Sequence, residues 1–153
     1  MSHEGPVPQS DGLTRLSIDA TSDAVRTALA EACGIWASQA ADPDLCAAAE
    51  QVLAEVLNNV VEHAQAGKSD GTVLLDTAVR GGKVHCAVLD DGVELPDLQL
   101  PPGHRAVIGD DLHSLPEGGF GWFMIRAMTH SLSYDRANGW NHLEFSIIHN
   151  KSA

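Results

Sequence analysis

The stretch Glu55-Val56-Leu57-Asn58-Asn59-Val60-Val61-Glu62-His63-Ala64 sets how the rest of the chain is read. It belongs to a segment from about Asp44 to Gln65 in which Leu53, Val56, Leu57, Val60, Val61 and Ala64 recur at the spacing of an amphipathic helix. Glu55, Asn59 and His63 fall at i, i+4 and i+8, so a continuous helix stacks them on one face, away from the apolar stripe. The plainer reading of that face is a solvated surface. Asn is a poor helix former, however, and Asn58-Asn59 in mid-helix is costly compared with Glu or Lys. An Asn carboxamide oxygen suits Mg²⁺, a hard ion. A carboxylate one turn away can accept a proton from an attacking hydroxyl or water.

Upstream, residues 1–12 read as a flexible tail rich in Gly, Pro and polar residues. Leu13–Ile18 predicts a short strand. A helix follows, capped by Ser22 or Asp23, with Val25, Ala28, Leu29, Cys33 and Trp36 at helical spacing. Asp42-Pro43-Asp44 separates it from the second helix. Downstream, Thr72–Val79 and Val84–Leu89 predict two strands joined through Gly81-Gly82-Lys83, a hairpin signal. The residues from about Pro96 to Gly118 are dense in Pro, Gly, Asp and His and have no period, which marks a functional or disordered loop. A helix from Gly119 to about Thr129 comes next. Leu132–Tyr134 and Leu143–Ile148 then predict two strands around the Asn138-Gly139 turn. The order β-α-α-β-β-loop-α-β-β implies one two-layer α+β domain over residues 13–150, with helices on one face of a sheet.

Two further places carry chemistry. The predicted strand Val84–Leu89 runs into Asp90-Asp91-Gly92. A strand delivers a carboxylate to its end and the glycine permits a tight turn or a close ligand approach. Such a carboxylate can accept a hydrogen bond from an exocyclic amine, as on adenine, although a plain Asp-Gly turn is the commoner meaning. In Glu117-Gly118-Gly119-Phe120-Gly121, glycines lead straight into an apolar helix. Backbone N–H groups and the positive end of the dipole suit phosphate there, against the alternative of a hinge or bulge. No Gly-Lys-Ser/Thr follows, so this is not a Walker A loop.

Composition narrows the partners. Nine basic against 21 acidic residues give a net charge of −12. That field repels nucleic acid and anionic membrane surfaces and attracts a basic protein partner. Cys33, Cys46 and Cys86 are too widely spaced for a CxxC pair and read as buried thiols in a reducing cytosol. No signal peptide or spanning apolar run is seen, so a cytoplasmic location is expected. His104 and His113 show no HExxH or paired spacing, so a zinc pair is not expected there.

Taken in order, a helix with Glu-x-x-x-Asn, a strand ending Asp-x-Gly, a long loop and a Gly-x-Gly helix start resemble the GHKL ATPases. Among these the chain looks closest to the stand-alone anti-sigma-factor serine kinases. The stretch from Glu55 to Ala64 is similar to their N box, and Glu117-Gly-Gly-Phe-Gly-Trp-Phe-Met-Ile125 to their second glycine box. The resemblance implies a Bergerat-type ATP-binding fold: a mixed, mostly antiparallel sheet, helices on one face, and a lid from about Pro96 to Gly118. It implies ATP and Mg²⁺ as cofactors, Glu55 as general base and Asn59 as the Mg²⁺ ligand. Asp90 would bind the adenine amine, with Gly92 supporting the turn. His63, Gly119, Phe120 and Gly121 complete the expected nucleotide-binding set, with Arg105 reaching phosphate from the lid. Two positions depart from the pattern: Glu94 stands where many relatives have a second glycine, and Trp140-Asn141-His142 where they often place a Thr.

By the same resemblance the chain is a serine-protein kinase that phosphorylates a STAS-domain anti-sigma antagonist, with a sigma factor competing for it and homodimerisation a possibility. The alternative is a regulatory module that binds nucleotide or merely keeps the fold, and sequesters a partner without phosphotransfer. A histidine-kinase catalytic domain is disfavoured because no helix pair with a phosphoacceptor His is read in the sequence.

Overall fold

The computed structural model describes residues 12–64, 71–95, 99–100 and 119–148. Residues 1–11 of the expected tail and nearly all of the expected lid, Arg105 included, lie outside the described residues.

The elements follow in the expected order. They are β1 (Thr14–Asp19), α1 (Ser22–Ser38), α2 (Pro43–Asn59), β2 (Thr72–Arg80), β3 (Lys83–Asp90), α3 (Gly119–Met128), β4 (His130–Ala137) and β5 (Trp140–Ile147). The strands form one sheet in the order β1-β2-β3-β5-β4. Every pairing is antiparallel, so the expected mixed sheet contains no parallel pair among the described strands.

Turn chemistry decides the two hairpins. Gly81 and Gly82 both have positive φ, at 58° and 76°, and Arg80 pairs with Lys83 across them. Asn138 and Gly139 do the same at 55° and 80°, with Ala137 opposite Trp140. Two-residue turns of this kind match the right-handed twist of the flanking strands.

The helix starts are also chemical. Thr21, one residue before the expected cap, accepts the N–H of Ala24 at 3.1 Å and opens α1. Ser22 and Asp23 are already helical, and Asp23 in the first turn meets the positive end of the dipole. Asp42 caps α2 by accepting the N–H of Leu45 at 2.8 Å, and Pro43 occupies the first helical position, where its missing N–H costs nothing.

The second helix is not continuous. Its α-helical winding ends at Asn59 and a π-helical turn runs over Val60–Ala64. The expected stacking of Glu55, Asn59 and His63 assumed α-helical spacing throughout, and the wider turn breaks it after Asn59.

Strand alternation fixes which face of the sheet meets the helices. Val73 and Leu75 of β2, Val84, Cys86 and Val88 of β3, and Leu143, Phe145 and Ile147 of β5 share one core with Val25, Ala32 and Trp36 of α1 and Leu45, Val52, Leu53, Val56 and Leu57 of α2. The stripe on α2 thus begins earlier than the sequence reading placed it, at Leu45. Trp36 is fully buried, and its indole N–H donates to Thr77 Oγ1 at 2.8 Å. The Thr77 hydroxyl in turn donates to the His85 carbonyl at 2.8 Å, so a polar pair in the core is satisfied. On the other face Arg15 of β1 makes two bonds to Asp76 of β2, at 2.7 and 2.8 Å, from directly opposite in the register. Only Cys86 of the three cysteines is buried; Cys33 and Cys46 are half-buried, which corrects the expectation of three buried thiols. Burial pushes the Cys86 thiol up to about 12 and that of Cys33 up to about 11.

Candidate functional site

Two groups of polar residues lie where the α2 layer and the ends of the strands leave the apolar core. The first is built by α2 and α3, which pack together. Val56 and Leu57 anchor this part of α2 in the core and turn Glu55 and Asn59 toward the start of α3. Both are half-buried, so the solvated-face reading does not hold. A Cβ placed on Gly121 would sit 2.5 Å from Glu55 Oε2 and 3.9 Å from Asn59 Nδ2. Glycine permits this close approach. Asn59 Nδ2 is buried and has no hydrogen-bond partner among the described residues. Leaving such a donor unmet costs about 1–3 kcal/mol. It is the kind of group that a bound ligand satisfies.

Gly119, Phe120 and Gly121 form the first turn of α3, a ten-residue helix. Its opening N–H groups have no partner within the helix itself. Trp122 and Ile125 bury the opposite side of α3 in the core.

The second group surrounds Asp90 at the end of β3. Asp90 is 3% exposed and continues the core-facing alternation of Val84, Cys86 and Val88. Its Oδ2 accepts the Gly92 N–H at 2.9 Å and Asn141 Nδ2 at 3.1 Å. Gly92 is buried and serves as a backbone donor to the carboxylate, which is how it supports the turn. Asn141 lies opposite Asp90 in the β3–β5 register. Its Nδ2 also donates to the Val93 carbonyl at 2.9 Å. Its Oδ1 accepts the Tyr134 hydroxyl at 2.6 Å and Arg136 Nη1 at 2.8 Å. Arg136 Nη1 also donates to the Gly92 carbonyl at 3.0 Å, and the Leu95 N–H donates to the Tyr134 hydroxyl at 3.1 Å.

The structure thus brings together Glu55, Asn59 and Gly121 in one group and Asp90 and Gly92 in the other. The side chains of His63 and Phe120, and all of Arg105, lie outside the described residues. Tyr134 and Arg136 carry no mark in the sequence reading, and Asn141 enters it only within Trp140-Asn141-His142, as a departure from the family pattern. A signal was present: in Trp140–Ile147, Asn141 holds the alternation position that Leu143, Phe145 and Ile147 fill with apolar side chains. A polar residue at a core-facing position demands partners. No group of three or more His, Cys, Asp or Glu able to hold a metal occurs among the described residues. None of the described helices is long and apolar enough to cross a membrane.

Comparisons with known proteins agree with this architecture. A serine/threonine-protein kinase of Bordetella bronchiseptica, BtrW, is 34% identical over 91 residues, covering 58% of this chain and 61% of that protein. The crystal structure of the RsbU and RsbW domains of a Mycobacterium tuberculosis protein superposes with a TM-score of 0.61 at 21% identity, covering 94% of this chain and 33% of that one. That likeness carries the fold. Residues 18–147 match the family described as the histidine kinase-like ATPase domain, and the chain belongs to that family.

Proposed function

We propose that residues 13–150 form a single ATP-binding domain acting as a protein serine kinase of the anti-sigma-factor type, which phosphorylates a serine on a STAS-domain antagonist in the cytoplasm. Unphosphorylated antagonist would compete with a sigma factor for the kinase. Family membership implies ATP as the ligand. The observation that carries the reading is the meeting of Glu55 and Asn59 with Gly121 at the start of α3.

Each residue has a task in this reading. The Asp90 carboxylate accepts the exocyclic amine of adenine, held by Gly92 and Asn141. The first turn of α3 offers N–H groups to the phosphates. At Gly121 the absence of a side chain lets the Glu55 carboxylate come close to the start of α3. Asn59 fits Mg²⁺ through its carboxamide oxygen, a hard donor, while its Nδ2, without a partner among the described residues, suits an acceptor such as a phosphate oxygen. Bound there, the ion would neutralise charge on the transferring phosphoryl group. Glu55 takes the proton of the attacking serine hydroxyl, a role worth about 10²–10⁴-fold in rate. Arg105, His63 and Phe120 remain further candidates for nucleotide contact.

Support for the kinase reading comes also from the similarity to BtrW, which is named a serine/threonine-protein kinase. The test is phosphotransfer from labelled ATP to STAS-domain proteins encoded beside the gene, with wild type and Glu55→Gln. Transfer that depends on Glu55 is expected. ATP binding without transfer to any such protein would sink the kinase assignment and leave a module that sequesters its partner.

A further inference from the structure

Asn141 can make four hydrogen bonds, two as donor through Nδ2 and two as acceptor through Oδ1. All four are made: to Asp90 Oδ2 and the Val93 carbonyl, and from the Tyr134 hydroxyl and Arg136. The orientation of its amide follows from its neighbours. Arg136 only donates, and the Val93 carbonyl only accepts, so rotating the amide by half a turn would face like against like at both. Asn141 is 5% exposed and its hydrogen-bonding capacity is spent inside the protein. It therefore has nothing left with which to grip a nucleotide base.

What it does instead is hold two things still. One is the Asp90 carboxylate, which its Nδ2 and the Gly92 N–H pin through a single oxygen. The other is the chain leaving β3. Arg136 bonds the Gly92 carbonyl, Asn141 the Val93 carbonyl and Tyr134 the Leu95 N–H, so three side chains from the β4–β5 hairpin bond three backbone groups within four residues. Both Arg136 and Tyr134 converge on Asn141 Oδ1.

We propose that Asn141, braced by Tyr134 and Arg136, is a positioning residue for purine selection: it sets the Asp90 carboxylate to accept the 6-amino group and does not itself contact the base. The inference rests on the ATP-binding reading above. A preset acceptor loses little on binding, whereas one that must first be oriented loses part of its selectivity.

The experiment is a binding titration of wild type and Asn141→Ala with two nucleotides, ATP and purine riboside triphosphate, which lacks only the 6-amino group. Wild type should prefer ATP. Asn141→Ala should lose about 10-fold in ATP affinity, the scale of one hydrogen bond to a charged group. Its affinity for the analogue should hardly change. Thermal unfolding verifies that the variant folds; if it does not, Tyr134→Phe, which removes one hydroxyl, should show the same ATP-selective loss at smaller size. Equal losses on both nucleotides would mean a merely structural role and overturn the inference. Equal wild-type affinity for the two nucleotides would also overturn it. Failure of wild type to bind ATP at all would overturn the ATP reading and this inference with it.

Discussion

The surroundings of Asp90 and those of Asn59 are both polar, both partly or fully buried, and both at the margin of one core, yet their hydrogen bonding is opposite. Around Asp90 every bond that Asn141 can make is made. Around Asn59 a buried amide donor has no partner among the described residues, and a glycine lets a Glu55 oxygen lie 2.5 Å from where a Cβ would stand. Buried polar groups are nearly always paired, so the exception calls for a reason. On the proposed function, the difference teaches that one end of the site is completed by folding alone, while the other is left for a ligand to complete. A base needs a preset acceptor. Phosphates and a cation, in the same reading, bring their own charges and supply the missing partners.

This contrast can be broken most severely at Glu55. Glu55→Gln should reduce phosphotransfer by about 10²–10⁴-fold, the range for losing a general base, while ATP binding by calorimetry stays near wild type. A parallel fall in binding would show that the two ends are not separable.

Gly121→Ala should come next. The new methyl meets the far end of a flexible side chain, so Glu55 can swing aside and the melting temperature should change little. The carboxylate would then be displaced by ångströms, and kcat should fall about 100-fold. Unchanged kcat would mean that the close approach at Gly121 serves packing only.

The sharpest comparison pairs two asparagine truncations in the absence of nucleotide. Asn141→Ala strips partners from buried groups and should destabilise by about 1–3 kcal/mol in denaturant unfolding. Asn59→Ala removes an amide whose donor has no partner among the described residues, and alanine suits a helix better by up to about 0.7 kcal/mol. Its apo stability should hold or rise while Mg²⁺-dependent ATP binding is lost. If Asn59→Ala destabilised as much as Asn141→Ala, the two ends would be alike after all.

The smallest effect is expected at Cys86. Burial raises its thiol to about 12, so the reactive thiolate is scarce at pH 8 in the folded protein. Aromatic disulfide reagents should leave it unmodified in wild type and in all these variants until they unfold. Early labelling in any variant would show that its core had opened and would disqualify its binding data.

Much of the fold was legible because its signals are local. Both positive-φ turns, at Gly81-Gly82 and Asn138-Gly139, announced their hairpins in two residues each. The periodicity of α1 and α2 needed only a dozen neighbours. What was misplaced was equally physical: Thr21 rather than Ser22 caps α1, and the π-helical turn at Val60 is invisible to a pattern that assumes constant winding. The early strand boundaries were short because β4 and β5 carry polar residues, such as Arg136 and Asn141, whose reason for being there is one another.

Order and spacing were enough to assign the α+β architecture, while Glu55, Asn59, Asp90, Gly92 and Gly121 were marked only when their short motifs were read together as a family resemblance. Folding alone could decide that Asn141 belongs with Asp90, 51 positions away, and that Gly121 belongs with Glu55. Those pairings depend on strand register and on how α3 docks against α2. Hydrogen bonds and steric contacts act over a few ångströms of space, and separation along the chain carries no record of them.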